Sequence, residues 1–390
     1  MFENLKVLEL ASVLAGPGVG QFFAELGASV IKVENPKTGG DVTRSWRSAG
    51  EQADDRSAYF CSVNWGKKSI AINLDTKEGQ DIVHRLVQQC DIVIASYKPH
   101  DAVKIGVDYE TLKNLNPKLI YGQITGYGSD DPRVGYDAVI QAEAGFMFLN
   151  GEPGGPSLKM PVALVDILAG HQLKEALLLA MLRRTQTGNG EFTEVSLIQA
   201  AVASLANQAT NWLVGGKIPQ KQGSSHPNIA PYGDVFKTAD GEEILLAIGN
   251  DKQFRNLCQL LDIEEMASDV KFSTNPSRVN NRVLLRHVLQ GKMAELGTDV
   301  AMNALKNAKI PAGILQNIQQ VFETPQAKEL LLQGDNIIGV RSYVGSTRQT
   351  NPSHFLPPPH YGEHTADILI NSLQMSPETV QKLVSEGFVA

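Results

Sequence analysis

The chain lacks the raw material for disulfide or thiol-metal chemistry. Its 390 residues include three cysteines, Cys61, Cys90 and Cys258, odd in number and far apart. That spacing makes neither a disulfide framework nor a zinc site, and it suits a reducing compartment. All three read as small buried hydrophobes. No apolar run approaches the roughly 18 residues that a membrane span requires. Residues 1–10 lack the basic region and apolar stretch of a secretory signal. Clustered positive charge is missing too: the net charge is −7, with no stripe of lysine and arginine. That argues against a nucleic-acid partner, although a local basic pocket for a small anionic cofactor remains open. There is no Walker A loop and no Gly-x-Ser-x-Gly elbow. No His, Cys, Asp and Glu cluster has metal spacing either, so no metal is expected. What remains is a soluble cytoplasmic globular protein, too long for one ordinary domain.

Within it, short apolar runs alternate with helical patterns. Residues 5–10, 29–33, 69–73, 91–95 and 119–124 are strand-like, and helices are predicted over 19–26 and 76–89, the second capped by Asp75. This alternation predicts an α/β fold of parallel βαβ units, a Rossmann-like large domain over residues 1–214. A long helix is expected over 166–184, apolar all round at 176–182 and therefore buried. A second is expected over 197–214. Residues 215–232, rich in Gly, Pro, Ser, Gln and Asn, read as a linker. Residues 234–237 and 243–248 flank a strong hairpin signal. With helices at 251–261, 281–296 and 299–308 they suggest a smaller α+β domain over 233–316. Pro357-Pro358-Pro359 reads as an exposed stretch.

Gly16-Pro17-Gly18-Val19-Gly20 after the first strand imitates a dinucleotide fingerprint, with Glu34 placed as ribose ligand. The fingerprint needs glycine at its sixth position, where Gln21 stands, and Pro17 has no N–H for a pyrophosphate. A tight strand-to-helix turn explains the segment better.

Asp166 is the most suggestive acid. It follows the apolar run 161–165 and opens the long helix, near a helix N-terminus among apolar neighbours. An ordinary N-cap accounts for such an aspartate; so does a nucleophile. Burial would raise its pKa and helix N–H donors would lower it, and the second effect is expected to keep it ionised. Tyr136-Asp137 precedes a helix of small residues, with Asp137 as cap and Tyr136 as core ring, or with both in a site. His226 lies in the interdomain loop, where function is often carried. Lys67, Lys68, Lys98 and Lys104 fall near strand ends, the edge at which open α/β sheets bind ligands. Singly they are surface lysines; together they suit a nucleotide phosphate.

Several segments, in order along almost the whole chain, resemble family III CoA-transferases, the formyl-CoA:oxalate and carnitine CoA-transferase group. They include Leu5-Lys6-Val7-Leu8-Glu9-Leu10 running into Leu14-Ala15-Gly16-Pro17, and Val30-Ile31-Lys32-Val33-Glu34. Gly40-Asp41-Val42-Thr43-Arg44, Gly135-Tyr136-Asp137, Val165-Asp166 and Gly362-Glu363-His364-Thr365 also match. The resemblance implies that residues 317–390 return to the large domain, and that two copies interlock as a homodimer. It implies Asp166 as nucleophile and Tyr136 and Asp137 beside the reacting thioester. Leu14, Ala15, Ile72, Ser96, Tyr97, Lys98 and Lys104 would lie around coenzyme A, the co-substrate. Asn35 departs from the arginine frequent at its position. Gly223-Ser224-Ser225-His226-Pro227 replaces the glycine run of oxalate-specific members, so only the loop's place carries over to His226.

The implied reaction moves CoA from an acyl-CoA to a small acid through an aspartyl anhydride and an aspartyl-CoA thioester. Arg44 and Arg47 are candidates for pairing with a second carboxylate of the acid. Two other activities fit the same scaffold. The related α-methylacyl-CoA racemases exchange the α-proton, but they would be expected to carry histidine where Tyr136 stands. A non-catalytic CoA-binding protein is the third reading.

Overall fold

The protein is described here by a computed structural model covering residues 2–51, 54–345 and 355–390. The apolar runs of the first 125 residues become β1 (Lys6–Leu10), β2 (Ser29–Glu34), β3 (Lys67–Ala71), β4 (Ile92–Ala95) and β5 (Ile120–Thr125). A sixth strand, β6 (Glu191–Ser196), joins them. All pair in parallel, in the order β3-β2-β1-β4-β5-β6. Every residue of β4 and β5 is buried, as a parallel sheet covered on both faces requires; β4 is apolar throughout, while β5 buries Gln123 and Thr125 as well. The strand order reverses between β1 and β4, and crevices open beyond the carboxyl ends of strands at such a reversal.

Four helices shape the functional edge of this sheet: α1 (Ala15–Glu25), α2 (Lys77–Val87), α3 (Asp137–Glu143) and α4 (Leu164–Thr187). The glycines of the false fingerprint lie inside α1 and serve packing. A Cβ on Gly20 would come within 1.9 Å of Glu9 Oε2, and one on Gly16 within 2.4 Å of the Ala11 Cβ. Thr76, not Asp75, caps α2, its side chain accepting the Gly79 N–H. Asp75 pairs instead with Lys37 at 2.7 Å. The apolar face of α2 places Ile82, Val83, Leu86 and Val87 in one core with Leu8, Leu10, Val93 and Tyr121. Each such aliphatic side chain contributes roughly 1.5–3 kcal/mol by leaving water. The cysteines are free and buried.

Three expectations fail. The helix read over 197–214 is two, Leu197–Ala203 and Asn207–Leu213, parted where Ala206 adopts a φ of 48°. The apolar middle of α4 is not buried within the chain: Leu178, Leu179 and Leu182 are exposed. Pro358 and Pro359 are buried rather than exposed, their carbonyls accepting from Arg56 and Arg44.

The chain divides into two compact units. The larger comprises Met1–Ala144, Met160–Ala206 and Glu329–Ala390; the smaller comprises Gly145–Lys159 and Asn207–Lys328. The smaller thus takes in Gly145–Lys159 and residues 207–214 and 317–328, all expected in the larger, together with the expected linker 215–232. It contains the antiparallel sheet of β7 (Tyr232–Lys237), β8 (Glu243–Ala247) and β9 (Ala312–Ile314). Its core gathers Phe236, Ile244, Leu246, Phe254, Leu257, Leu285 and Leu289. The larger unit also holds the hairpin of β10 (Leu331–Gly334) and β11 (Ile337–Val340). Its free edge at β3 is covered by the chain's last residues, Ile72 bridging to Val389 and the Asn73 N–H donating to the Phe388 carbonyl. Among the described residues, no helix is long and apolar enough to cross a membrane.

Candidate active site

At the reversal of strand order lies a cavity of about 340 Å³. The turn after β1 lines it with residues 12–16, the turn after β4 with Ser96, Tyr97 and Lys98, and the turn after β5 with Thr125 and Gly126. Tyr136 and Asp137 close one side, and Asp166 faces in from α4. Leu14, Ala15, Ser96, Tyr97, Lys98, Tyr136, Asp137 and Asp166, far apart in the chain, therefore share one cavity.

The first turn of α4 has no side-chain cap of its own; Ala163 occupies that place. Asp137 supplies the missing acceptor from another segment. Its Oδ1 accepts the Val165 N–H at 2.8 Å, while Oδ2 accepts from Gln141 at 2.8 Å. Asp137 thus caps α4 rather than α3, whose N-cap is Tyr136. Asp166 is spared that duty. Asp166 is 8% exposed, and its carboxylate accepts no hydrogen bond from the described residues. Burial, and secondly the charge of Asp137, push its carboxyl up to about 7. The expectation that helix N–H donors hold it ionised is overturned, because none reaches it and desolvation wins. The result is a carboxyl near half-ionisation at neutral pH, bare on one side of a cavity.

Two more hollows continue from this one. A cavity of about 350 Å³ shares Ser12, Val42, Ser96 and Tyr97 with the first. A third, of about 230 Å³, shares Val33, Glu34, Asn35 and Tyr97 with the second and is lined by Ile72, Asp101 and Lys104. Together they run along the carboxyl ends of β1, β4, β2 and β3. Asn35 spends its side chain accepting the Lys37 N–H at 2.9 Å.

Three candidates are placed otherwise. Arg44 borders the second cavity but is 5% exposed, and Glu34 grips its guanidinium with two contacts, at 2.8 and 2.7 Å. Asp55 and the Pro359 carbonyl take the remaining N–H groups. It has no fork left for a substrate carboxylate, so Arg44 is structural. Arg47, paired with it in that expectation, donates to the Asp54 carbonyl. His226 belongs to the smaller unit, where its ring packs edge-on to Tyr232 and Nδ1 accepts the Asn228 N–H. One ligand-type trio has no signature in the sequence: Asp54, Asp55 and His360 bring oxygen and nitrogen atoms within 4.8 Å. Arg56, Arg44 and the His360–Asp55 bond already occupy those atoms.

Sequence reasoning also missed a buried charge network beneath the cavities. Lys32 Nζ lies 3.0 Å from Glu9, 2.8 Å from Asp41 and 2.8 Å from the Ala11 carbonyl. Lys67 meets the other oxygen of Glu9 at 2.7 Å and also bonds Pro17 and Asn64. Two acids and two lysines, all nearly inaccessible, balance. Burial works to lower the Lys32 pKa, but the charges of Glu9 and Asp41 raise it overall. The only forewarning was four charges in segments otherwise reading as buried strand or turn.

The whole chain can be compared with known proteins. The family model for CoA-transferase family III matches residues 2–365. The succinate–glutarate CoA-transferase of Agrobacterium fabrum is 40% identical, the match covering 94% of each chain. The succinyl-CoA:glutarate CoA-transferase of Homo sapiens is 35% identical over 99% of this chain and 89% of its own. Among solved structures, a CAIB/BAIF family protein from Brucella suis superposes with a TM-score of 0.82 at 40% identity, covering 94% of this chain and 97% of that one. A six-stranded parallel sheet, a cavity at its reversal point and a match through residue 365 agree: this chain belongs to CoA-transferase family III.

Proposed function

We propose that Asp166 is the nucleophile of a CoA transfer between dicarboxylic acids, with succinate and glutarate as the leading pair. The observation that carries this is a carboxylate without a hydrogen-bond partner, nine-tenths buried, at the wall of the reversal-point cavity. The ionised form attacks the acyl-CoA carbonyl; the C–S bond breaks and CoA leaves as thiolate, giving an aspartyl anhydride. The thiolate then attacks the aspartyl carbonyl and releases the donor acid as carboxylate. The acceptor carboxylate attacks the resulting aspartyl-CoA thioester, forming a second anhydride and freeing the thiolate again. Attack of that thiolate on the acceptor's acyl carbonyl releases the new acyl-CoA and restores Asp166. A carboxylate is a weak nucleophile, so holding it against the carbonyl substitutes proximity for reactivity. Water must be kept from both intermediates.

Backbone donors for the transient oxyanions come from the β1–α1 turn. At the start of α4 the Val165 N–H is already committed to Asp137. Leu14, Ala15 and Gly16 line the cavity, and their N–H groups have no acceptor among the described residues. Fixed donors of this kind are worth most where charge develops. The continuing row of hollows accommodates pantetheine and then the nucleotide, with Lys104 and Ile72 at the far end and Lys98 at the near one.

The dicarboxylate reading rests on the relatives' names and on one uncommitted cation at the first cavity, Lys98, which makes no ion pair among the described residues. Arg133 lies there too, 3.6 Å over the Tyr127 ring, but its guanidinium is taken up by Asp131 and Glu143. A racemase would need an acid–base partner for Asp166. Among the described residues no histidine lines this cavity; Tyr136 stands exposed there, and tyrosine as a residue type is a poor proton shuttle near neutrality. We also propose a homodimer, in which a second copy covers the exposed leucines of α4.

The test is a panel of acyl-CoA donors against carboxylate acceptors, read by mass spectrometry of the CoA products. Succinyl-CoA with glutarate should yield glutaryl-CoA, and hydroxylamine added during turnover should modify the peptide containing Asp166. Label on another residue would overturn the nucleophile; turnover of monocarboxylates alone would overturn the substrate class.

A further inference from the structure

The turn that bears the free amides is strained. Val13 adopts a φ of 72°, a left-handed conformation that a β-branched residue takes only under constraint. The constraint is visible. The Val13 N–H points at both carboxylate oxygens of Asp41, at 3.4 and 3.3 Å, and the Ser12 N–H donates to Ser96 Oγ at 3.3 Å. Asp41 cannot swing away. Lys32 holds its Oδ2 at 2.8 Å, while Thr43 donates to Oδ1 through its backbone N–H at 3.0 Å and its hydroxyl at 2.8 Å. Lys32 in turn is fixed by Glu9 and by the Ala11 carbonyl. Glu9 and Ala11 flank the carboxyl end of β1, so the network ties the turn back to the strand it leaves.

The direction of the next few amides depends on this turn. A left-handed residue leading into a helix start turns successive N–H groups to one side, forming a concavity suited to negative charge. Leu14, Ala15 and Gly16 come directly after Val13, and they line the cavity with Asp166, the buried and unpartnered carboxylate. A relaxed Val13 would rotate the plane of the next peptide and aim these donors elsewhere.

We propose that Asp41 is a positioning residue, which holds Val13 in its left-handed turn so that the amides after it face the acyl group on Asp166. Asp41 borders the second hollow, but its side chain is 0% exposed and offers nothing to CoA or the acid. Its buried charge, neutralised by Lys32, supplies the hold that a surface hydrogen bond could not. The inference rests on the assignment of Asp166 as nucleophile, since it concerns donors aimed at that centre.

The test separates chemistry from binding. In the full-length protein, Asp41→Asn should lower kcat on the order of a hundredfold, the cost of one misdirected oxyanion donor. The affinity for CoA itself, measured by calorimetry, should change less than threefold. Adding Val13→Gly should restore at least tenfold of the lost kcat, because glycine takes the left-handed turn without being held. A purely structural Asp41 gives no such rescue. Should Asp41→Asn fail to fold, Val13→Pro decides the matter: proline cannot adopt this φ and removes the N–H that Asp41 holds, while Asp41, Lys32 and Glu9 keep their charges. It should lose kcat by a similar factor with CoA affinity retained. Near-wild-type kcat in Val13→Pro or in Asp41→Asn, or no rescue in the double variant, overturns the proposal. All values are ratios to wild type on whichever acyl-CoA it turns over, so a wrong acid leaves them intact. The nucleophile is read separately, by labelling of Asp166.

Discussion

Asp166 costs the fold something at the pH where the enzyme needs it. Its carboxyl stands near 7 in the folded chain, against the ordinary value of 3.8. Between those values the folded state binds the proton more tightly than the unfolded chain, so the stability it contributes is present at low pH and lost as pH rises through 7. The full shift corresponds to about 4 kcal/mol at most. Asp166→Asn should therefore melt higher than wild type at pH 8, with the gap shrinking towards pH 4, while transfer activity is lost. Thermal melts of both proteins across that range check it; an equal gap at both ends would contradict the burial argument. The same ionisation sets the rate: kcat/KM should climb as pH rises through about 7.

At the scale of elements, Asp137 links the helix it starts to the one that carries the nucleophile. Removing it in Asp137→Ala strips the Val165 N–H of its acceptor, at a cost of about 1 kcal/mol for a lost cap. It also removes the second cause of the raised Asp166 pKa, so the rising limb of the pH–rate profile should move to lower pH. A profile that stays in place or moves towards alkaline pH would show that Asp137 does not act on Asp166 through charge. The same pairing explains what could be read from the chain. Strands β1, β2, β4 and β5 declare themselves by buried apolar residues at most positions, even where Glu9, Lys32 and Gln123 interrupt them. Strand β6 does not, since Glu191 and Glu194 break the run at the sheet edge. The position of Asp166 before an apolar helix was visible, but its freedom was not. That depends on a cap donated from a segment almost thirty positions earlier, which no local pattern encodes. Arg44 misled for the same reason: its partner Glu34 sits at the end of β2, ten positions away in sequence.

For the whole molecule, the exposed face of α4 is the feature most in need of an explanation. Leu178, Leu179 and Leu182 lie 39%, 55% and 57% open on a helix whose other face, with Ala169, Leu173, Leu177 and Ala180, is core, an apolar strip that chains of ordinary composition avoid leaving in water. If a second copy covers it, Leu179→Glu with Leu182→Glu should convert a sedimenting species of twice the chain mass into one of 42.3 kDa. Wild-type protein sedimenting at the single-chain mass would remove the dimer.

The edge of the large sheet carries a consequence for how the protein is made. The Ala71 N–H of β3 is bonded by Thr365 and the strand's end by Phe388 and Val389, partners that lie 294 positions or more further along the chain. During translation that border stands bare while the entire smaller unit emerges from the ribosome and can collapse on its own. The last portion to be built must then find an older, waiting groove. Nascent chains halted before Thr365 should expose a strand rim ready to zip onto a neighbour, which makes this interval the protein's most vulnerable moment for misassembly.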